Sequence, residues 1–560
     1  MGKVSKSKKK KKSAFPLVLV VFATIAAAAA GLIFFMKDSG APSTEHLDAA
    51  AYFGMPEADE KAVVISGEIL PNKAVTEYGI VYILYEDALK YINNRMYYDE
   101  KADILTVALP DEILNISPDE TPFGDEECAL HTEDGLYVSC DFLAHCSDIE
   151  AGPVTEAPQV FIRTAFDVPV RTVLEDAPVR QNADVRSPII RDLAAGEKVY
   201  FLSEEEPWMR VQTEDGFIGY TESIYLGQEE DPPAHESRIG SYKDILYDFP
   251  INMVFHQTDS QWANDALEEA LEGTHGINVI APTWFFMNDV NGSYTDLSSA
   301  DYVTTAHSLG MKVWAVANDF DGTLASPQDT KALLERTEVR QQLAENLVLS
   351  VKGCGADGLN LDFENVREES AGAYLMLIRE LEVQCARENI VLSVDSYVPQ
   401  LYNLYLNRAA QAEAADYIVT MAYDEHHAGS DEAGSVSSIS WVQQAITGTM
   451  AEVPVNKIII ALPFYTRMWE STAGNKPTSK AMGMREAMEA VSEYGMKTVW
   501  DEETQQEYAE VTSGAKKQIW LENERSLRAK IELISKYSVA GTAAWKLGLE
   551  MPEIWNLLEK

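Results

Sequence analysis

The chain has 560 residues, a length that predicts several folded domains rather than one. Hydrophobic residues make up 46% and charged residues 24%, which excludes a mainly disordered chain and a polytopic membrane protein. The formal net charge is −44 although seven lysines stand among the first twelve residues, so the rest of the chain should repel nucleic acids. Any anionic polymer must therefore be bound at a specific site.

An uncharged segment of 23 residues, 14–36, follows a basic tail at residues 1–13. As a helix it is long enough to cross a hydrocarbon core of about 30 Å. Its length favours a membrane anchor over a cleaved signal peptide, the alternative, whose apolar core is usually shorter. The lysines before it predict a cytoplasmic N-terminus. We therefore expect a single-pass protein of the cell membrane with extracytoplasmic C-terminal domains.

A short linker, residues 37–60, is predicted next because it shows no period. In residues 61–160, the segments 81–91 and 136–146 share a strand-then-helix pattern, which indicates a small duplicated α+β module. This region resembles the N-terminal domain of copper amine oxidases. The resemblance implies an accessory module, and no copper is expected because the metal-ligand spacing is missing.

Residues 161–226 alternate in short strands around an Asp215-Gly216 turn, the pattern of a small β-barrel. The run from Trp208 to Tyr220 resembles a bacterial SH3 domain, which implies a module that binds the cell wall. The alternative is a spacer in which Trp208 and Tyr220 only fill the core. Residues 227–239 are acidic, contain proline and are predicted to be a linker.

The C-terminal region, residues 240–560, alternates apolar strands with helical stretches. The predicted strands are 251–256, 277–285, 312–318, 358–364, 390–397, 417–423, 458–465 and 541–548. Eight such units predict a (β/α)8 TIM barrel with an active site at the carboxyl ends of its strands. The fold class is thus α/β, with the barrel preceded by the α+β module, the SH3-like barrel and the transmembrane helix.

The fourth predicted strand, 358–364, contains the candidate catalytic carboxyls. Alternation places Asn360, Asp362 and Glu364 on one face and leucines on the other, so the polar face should point into the barrel. Burying an ionised carboxylate costs free energy, so such a residue is expected to have a binding partner or a catalytic role. Burial and a neighbouring anion both raise a carboxyl pKa, which would keep Glu364 protonated and able to act as an acid. The alternative is a solvated acidic loop.

Residues 240–560 resemble glycoside hydrolase family 18, whose fourth strand bears the pattern DGxxxDxE. Here that pattern is Asp357, Gly358, Asp362 and Glu364. The resemblance extends to MAYD at 421–424, to LPFYTRMW at 462–469 and to Trp545, and its nearest branch is that of the spore-cortex glucosaminidases. It implies a retaining glycosidase that cleaves β-1,4-linked N-acetylhexosamine glycans, with peptidoglycan preferred over chitin.

The resemblance also implies roles for individual residues. Glu364 would be the general acid and base, Asp362 would orient the 2-acetamido group of the substrate, and Tyr423 would hydrogen-bond its carbonyl. The implied substrate-binding residues are Asp357, Asn360, Asp424, Trp545, Tyr465 and Arg467. Trp545 would form the floor under the cleaved sugar, although a core tryptophan is the alternative.

One position departs from the family. Many members have a third aspartate where this chain has Asn360, and that aspartate can share a proton with the one that corresponds to Asp362. Asn360 can donate a hydrogen bond but cannot take up a charge. We therefore hypothesise that Asp362 stays ionised here. A second functional class, a non-catalytic or weakly active protein that binds cell-wall glycan through the same barrel, stays open.

The expected partners are a polysaccharide substrate and the membrane, with no nucleic acid. No cofactor or metal is expected, because the implied chemistry needs none. His426 and His427 supply ligand types, but adjacent residues rarely converge on one ion. The sequence does not reveal the oligomeric state.

Overall fold

The computed structural model describes residues 42–54, 60–121, 127–152, 157–324, 326–472 and 474–558. The predicted basic tail and the membrane anchor at 14–36 lie outside these residues. Among the residues described, no helix combines the length and apolar character that a bilayer crossing requires.

The described chain separates into two compact units. The first contains the residues up to Ile92 and those from Thr121 to Arg238, and the second contains Asn93–Glu120 and the residues from Ile239 onward. The segment 93–120, expected within the 61–160 module, therefore belongs with the barrel. The amine oxidase-like and SH3-like assignments stay predictions.

One sheet of the first unit contains the repeated strand-then-helix pattern, which is confirmed. Strand Ile80–Leu84 runs into helix Tyr85–Tyr91, and strand Gly135–Ser139 runs into helix Cys140–Cys146. The two strands are antiparallel neighbours. The seven strands of this sheet, in spatial order, are Ala129–Thr132, Gly135–Ser139, Ile80–Leu84, Glu68–Glu77, Glu60–Ile65, Gln159–Arg163 and Glu150–Ala151.

The other sheet of the first unit has seven antiparallel strands. In chain order they are Val170–Val173, Ala177–Arg180, Ile189–Leu193, Lys198–Glu205, Trp208–Thr213, Ile218–Glu222 and Leu226–Glu230. The predicted turn at Asp215-Gly216 joins two of them, and Gly216 has a φ of +89°, a value that favours glycine. Trp208 is buried and Tyr220 is half-buried.

The second unit is a closed barrel of eight parallel strands, as predicted. Each predicted strand is present within two residues at its start and three at its end. The strands are β1 (Ile251–His256), β2 (Val279–Met287), β3 (Lys312–Asn318), β4 (Gly358–Asp362), β5 (Val391–Tyr397), β6 (Tyr417–Met421), β7 (Ile458–Pro463) and β8 (Gly541–Trp545).

The helices of this unit are Gln261–Asp265, Leu267–Ala270, Ala300–Ser308, Pro327–Leu334, Thr337–Cys354, Ala371–Glu388, Arg408–Ala414, Ile439–Met450, Met484–Glu493 and Glu524–Ile534. The helix Ala371–Glu388 has the one-sided apolar stripe that the sequence predicts, with Tyr374, Leu377 and Leu381 all buried. The residue that follows the helix, Asn389, is its C-cap and has the left-handed conformation typical of a helix terminus.

Two small sheets are added to the barrel. Strands Met96–Asp99, Ile104–Ala108 and Ile113–Ile116 form a three-stranded sheet whose Ala108 packs on Met376 and Val383 of the helix Ala371–Glu388. Five antiparallel strands lie between β7 and β8 in the chain. They are Tyr465–Ser471, Thr478–Gly483, Lys497–Asp501, Gln506–Ser513 and Ala515–Leu521.

Candidate active site

The predicted polar face of β4 points into the barrel. Leu359 and Leu361 pack in the cluster between the strands and the helices, whereas Asn360 and Asp362 are 0% and 4% exposed. Glu364 lies two residues past the last residue of β4 and is half-buried. The alternation that the sequence predicts therefore brings Asn360, Asp362 and Glu364 to one site at the carboxyl ends of the strands.

Burial affects the protonation of the Asp362 and Glu364 carboxyls. It raises the pKa of Asp362 well above its usual range, and the charges of Asp395 and Glu364 raise it further. Burial also raises the pKa of Glu364, while a hydrogen bond from Tyr397 lowers it in part. A raised pKa keeps the proton on Glu364 to a higher pH than on a solvated glutamic acid, which favours its use as a general acid.

Two residues that sequence reasoning missed position Glu364. The hydroxyl of Tyr397, at the end of β5, donates to Glu364 Oε2 at 2.6 Å. Asp319, directly after β3, is fully buried and accepts the backbone N–H of Glu364 at 2.8 Å. Thr330 donates to the other Asp319 oxygen at 2.8 Å. Both the side chain and the backbone of Glu364 are thus held by neighbouring strands.

A third missed residue, Asp395, lies on β5 beside Asn360. Asn360 Nδ2 donates to Ser393 Oγ at 2.9 Å and to Asp395 Oδ1 at 3.0 Å. Burial raises the pKa of Asp395 well above its usual range. The signal in the sequence was the alternation of Ser393, Asp395 and Tyr397 along β5, which repeats the polar pattern of β4.

Two buried oxygen atoms at this site have no hydrogen-bond partner among the described residues, namely Asn360 Oδ1 and Asp362 Oδ1. Buried acceptors are normally paired with a donor, so these two are places where a ligand N–H or O–H can bind. An acetamido N–H is such a donor. The site can therefore combine a proton donor, Glu364, with an acceptor for a polar substrate group.

The ends of β6 and β7 supply four of the remaining predicted residues. Burial raises the pKa of Tyr423 well above its usual range, so its phenol stays a proton donor. Its ring meets that of Tyr465 edge to face at 6.1 Å. The Tyr465 hydroxyl donates to Asp424 Oδ1 at 2.7 Å, and Arg467 Nε lies 3.9 Å from the same oxygen. These four side chains form one connected group.

Trp545 ends β8. It packs with the residues that fill the barrel interior, and its ring lies 5.3 Å from that of Phe255 on β1. The side chain is half-buried. It therefore has a packed edge and an accessible part, which fits the expected floor of a sugar site better than a fully enclosed core position.

Asp357 does not join the site, and its assignment to substrate binding is wrong. It precedes β4, so it lies at the amino end of the barrel, about 16 Å along the chain from Asp362 at about 3.3 Å per residue. Its carboxylate accepts hydrogen bonds from Lys312 Nζ at 2.7 Å, from His307 Nε2 at 2.7 Å and from Val313 N at 2.9 Å. Asp357 is a structural residue that links β3 to β4.

The two adjacent histidines have other contacts. His426 Nδ1 lies 2.9 Å from the Ser435 carbonyl, and His427 Nδ1 accepts the Gly429 N–H at 3.1 Å. Within the described part of the chain, no three histidine, cysteine or carboxylate side chains are grouped to hold a metal ion.

Comparisons with known proteins concern the barrel region of the chain. The family model described as "Glycosyl hydrolases family 18" matches residues 293–550. This part of the chain is a family 18 glycosyl hydrolase domain. The protein is therefore a glycosidase.

Two relatives from Bacillus subtilis are similar to the same region. The glycosylase YvbX, named as uncharacterized, is 25% identical over 299 residues, which cover 51% of this chain and 84% of YvbX. The cortical fragment-lytic enzyme is 25% identical over 284 residues, which cover 49% of this chain and 65% of the enzyme. The aligned region thus spans just under two thirds of the second relative.

A solved structure shows the same fold. The crystal structure of the spore cortex-lytic enzyme SleL from Bacillus cereus matches with a TM-score of 0.50 and 20% identity, and it covers 59% of this chain and 78% of SleL. At this identity the likeness concerns the fold of the domain.

Proposed function

We propose that this glycosidase hydrolyses β-1,4-linked N-acetylhexosamine glycans with retention of configuration, and that peptidoglycan is preferred over chitin. The observation that carries the proposal is Glu364, a carboxyl of raised pKa at the mouth of the barrel, beside the second buried carboxyl Asp362. A glutamic acid that can donate a proton, beside a second carboxyl that can orient the acetamido group of the substrate, suits substrate-assisted cleavage of a glycosidic bond.

In the proposed reaction, Glu364 transfers its proton to the glycosidic oxygen as the bond to C1 breaks. The carbonyl oxygen of the substrate's own 2-acetamido group bonds to C1 and forms an oxazolinium ion. Asp362 accepts a hydrogen bond from the acetamido N–H, and the Tyr423 hydroxyl donates a hydrogen bond to the acetamido carbonyl oxygen. Glu364, now ionised, removes a proton from a water molecule as that water attacks C1. The attack opens the oxazolinium ring, and the configuration at C1 is retained overall.

The contacts of Glu364 support this role. Because Tyr397 donates to Oε2, the acidic proton belongs on Oε1, the oxygen that is left for the substrate. The hydrogen bond from the Glu364 backbone to Asp319 fixes the start of the loop. A general acid must be held at hydrogen-bond distance from its target, so a carboxyl fixed at two points is suited to this task.

The preference for peptidoglycan has different support. One relative is named a cortical fragment-lytic enzyme, and one similar structure is that of a spore cortex-lytic enzyme. The SH3-like module expected at 161–226 and the anchor expected at 14–36 would both keep the glycosidase beside a wall polymer. We propose that the chain is held in the cell membrane with its barrel outside.

The test uses the full chain and purified peptidoglycan and chitin oligomers. Glu364→Gln should remove the release of reducing ends, because an amide cannot donate the acidic proton at the required strength. Glu369→Gln, the same change at an exposed residue of the 3-10 helix Glu368–Ser370, is the matched control and should keep full activity. Equal activity of the Glu364→Gln variant and the wild type would refute the assignment.

A second outcome separates the alternative function. If the wild type binds peptidoglycan without releasing reducing ends from either polymer, the result favours a glycan-binding protein over a hydrolase. Membrane attachment is tested separately, by cell fractionation of the full chain and of a variant that lacks residues 1–36. Only the full chain should sediment with membranes and be digested by protease added outside the cell.

A further inference from the structure

Two neighbouring strands place carboxyls side by side inside the barrel. In the parallel pairing of β4 with β5, Asn360 lies opposite Ser393 and Leu361 lies opposite Val394, so the next position along each strand is Asp362 and Asp395. Adjacent strands are about 4.8 Å apart. Both aspartates point to the barrel interior, where they are 4% and 7% exposed.

Among the described residues, the charged groups that act most strongly on this pair are acids. The groups that raise the pKa of Asp362 through their charge are all acidic, namely Asp395, Glu364, Asp319 and Asp321. The titratable groups that interact with Asp395 are Asp362, Glu364, Tyr374 and Tyr423, which come from β4, its loop, the helix Ala371–Glu388 and the end of β6. Two carboxylates in such a place cannot both be ionised near neutral pH, so the pair retains a proton.

We infer that Asp395 supplies the proton-sharing carboxyl that position 360 lacks, so that Asp362 can become an anion when the substrate arrives. This inference rests on the proposed function. It corrects the hypothesis that Asp362 is ionised throughout, since the resting pair keeps a proton on one of its members.

The proposed transfer is balanced within the pair. When the pair holds one proton and no substrate is bound, Asp362 carries that proton and Asp395 is the carboxylate, because the pKa of Asp362 is raised by the charge of Asp395 in addition to burial. The acetamido N–H of the substrate then hydrogen-bonds to Asp362 and favours its ionised form. The O–H bond of Asp362 breaks and an O–H bond to Asp395 forms, directly or through one water molecule. No other reactant is consumed, and the reverse transfer resets the pair when the product leaves.

Asn360 has a defined task in this scheme. Its Nδ2 donates at once to Ser393 and to Asp395, so it fixes the Asp395 carboxyl beside Asp362 in either protonation state. An asparagine keeps this donor at every pH, whereas an aspartate would add another ionisable acid to the cluster. The carboxyl that other sequences place on β4 is thus placed on β5, one strand away.

The test is a set of four variants in the full chain. Asp395→Asn keeps the shape and the acceptor oxygen but cannot take up a proton. Ser393→Ala, the matched control, removes the other acceptor of Asn360 and leaves every carboxyl in place. Asn360→Asp combined with Asp395→Asn returns the carboxyl to β4, and Asn360→Asp alone completes the set.

We expect Asp395→Asn to lower kcat at least tenfold with little change in KM, and Ser393→Ala to stay within about twofold of wild type. The double variant should recover most of the lost kcat, because the pair again has a proton acceptor. If Asp395→Asn keeps the kcat and the pH profile of wild type, the inference is wrong. If the folded double variant remains as slow as Asp395→Asn, Asp395 has only a structural role and the inference is likewise overturned.

A readout without turnover separates this inference from the proposed function. Infrared difference spectra between pH 5 and pH 9 detect the protonated carboxyl band of the buried pair. The wild type should keep this band above pH 7, and Asp395→Asn should lose it at a lower pH, because Asp362 no longer has a charged neighbour on β5. Identical spectra would overturn the inference even if no glycan were cleaved.

Discussion

The hydroxyl of Tyr397 donates a hydrogen bond of 2.6 Å to Oε2 of Glu364. The two residues are 33 positions apart in the chain and come from neighbouring strands. A hydrogen bond from a neutral phenol stabilises the ionised form of a carboxyl, so it lowers the pKa of Glu364 against the larger effect of burial. Tyr397 therefore affects both the position and the acidity of the proposed catalytic acid.

Replacing Tyr397 by phenylalanine should change the rate and the pH profile together. We expect kcat to fall about tenfold to a hundredfold, which is no more than the lower end of the ~10²–10⁴-fold that a positioned acid contributes, because Glu364 itself is still present. The pKa of Glu364 should rise without the hydrogen bond, so the alkaline limb of kcat/KM should move to higher pH. Steady-state kinetics on a defined N-acetylglucosamine oligomer across pH measure both effects.

The matched control for this prediction is Tyr405→Phe. Tyr405 lies in the 3-10 helix Leu401–Leu406 that follows β5, and its hydroxyl donates to the Val366 carbonyl at 3.3 Å rather than to Glu364. This variant should keep the wild-type pH profile. An alkaline limb of Tyr397→Phe that moves to lower pH would contradict the proposed effect on Glu364.

Asp357→Asn should affect stability and leave catalysis unchanged. Burial alone would raise the pKa of Asp357, but the hydrogen bonds from Lys312, His307 and Val313 outweigh it and hold the pKa below its usual value. The loss of charge at a hydrogen-bonded and largely buried site should cost about 1–3 kcal/mol of unfolding free energy. Calorimetric unfolding of the barrel and kcat of the same sample measure the two effects.

The pH dependence of that cost has a definite sign. A carboxyl with a lowered pKa in the folded state stabilises the fold above its unfolded pKa, near 3.8, and loses this contribution as the pH falls through the folded value. The stability difference between wild type and Asp357→Asn should therefore be full at pH 7 and shrink below about pH 4. Wild-type stability combined with a lowered kcat would return Asp357 to the substrate-binding residues.

The strands of the barrel and the polar face of β4 could be predicted because both depend on local pattern. Alternation fixes which side chains of a strand share a face, and this placed Asn360 and Asp362 correctly. The prediction for Asp357 is wrong because the family pattern that includes it spans the whole of β4, from one end of the barrel to the other. Its place before β4 puts it at the opposite end of the barrel from Glu364.

The residues that hold Glu364 could not be predicted from β4 alone. Asp319 is 45 residues away and Tyr397 is 33 residues away, and only the closure of the barrel brings them to Glu364. The contacts of the three-stranded sheet are also hard to predict from sequence, because they join residues that are even farther apart in the chain. Arg95 pairs with Glu382, 287 residues later, and the two side chains are 8% and 9% exposed. No local period reveals such a pairing.

The buried acids of the site should make the barrel less stable as the pH rises. Burial raises the pKa values of Asp362, Glu364 and Asp395, so the folded protein retains protons that the unfolded chain releases near pH 4. Stability should therefore be highest near pH 4 as far as these groups are concerned, and should fall as the pH rises toward the raised pKa values. Calorimetric scans from pH 4 to pH 9 measure this trend.

Asp395→Asn isolates the contribution of one member of this cluster. The variant should be more stable than wild type by on the order of 1–3 kcal/mol at pH 8, because one buried acid no longer has to ionise or hold its proton. At pH 4 both proteins carry a neutral side chain at this position, so their stabilities should agree and serve as the internal control. If the variant is less stable than the wild type at pH 8, the buried Asp395 carboxyl does not destabilise the fold at that pH and the prediction is wrong.

Tyr465→Phe should weaken substrate binding more than it slows the chemical step. The lost hydrogen bond, 2.7 Å from the Tyr465 hydroxyl to Asp424 Oδ1, fixes an exposed carboxylate at the end of β6, where it can contact a sugar hydroxyl. A hydrogen bond to a charged group is worth about 1.5–3 kcal/mol, so we expect KM to rise about tenfold with kcat within about threefold of wild type. Tyr494→Phe, the same change at a side chain 41% exposed directly after the helix Met484–Glu493, should leave both constants unchanged. If Tyr465→Phe instead lowers kcat at constant KM, Asp424 acts on the transition state, and its role has to be assigned to the support of Tyr423 rather than to binding of the sugar.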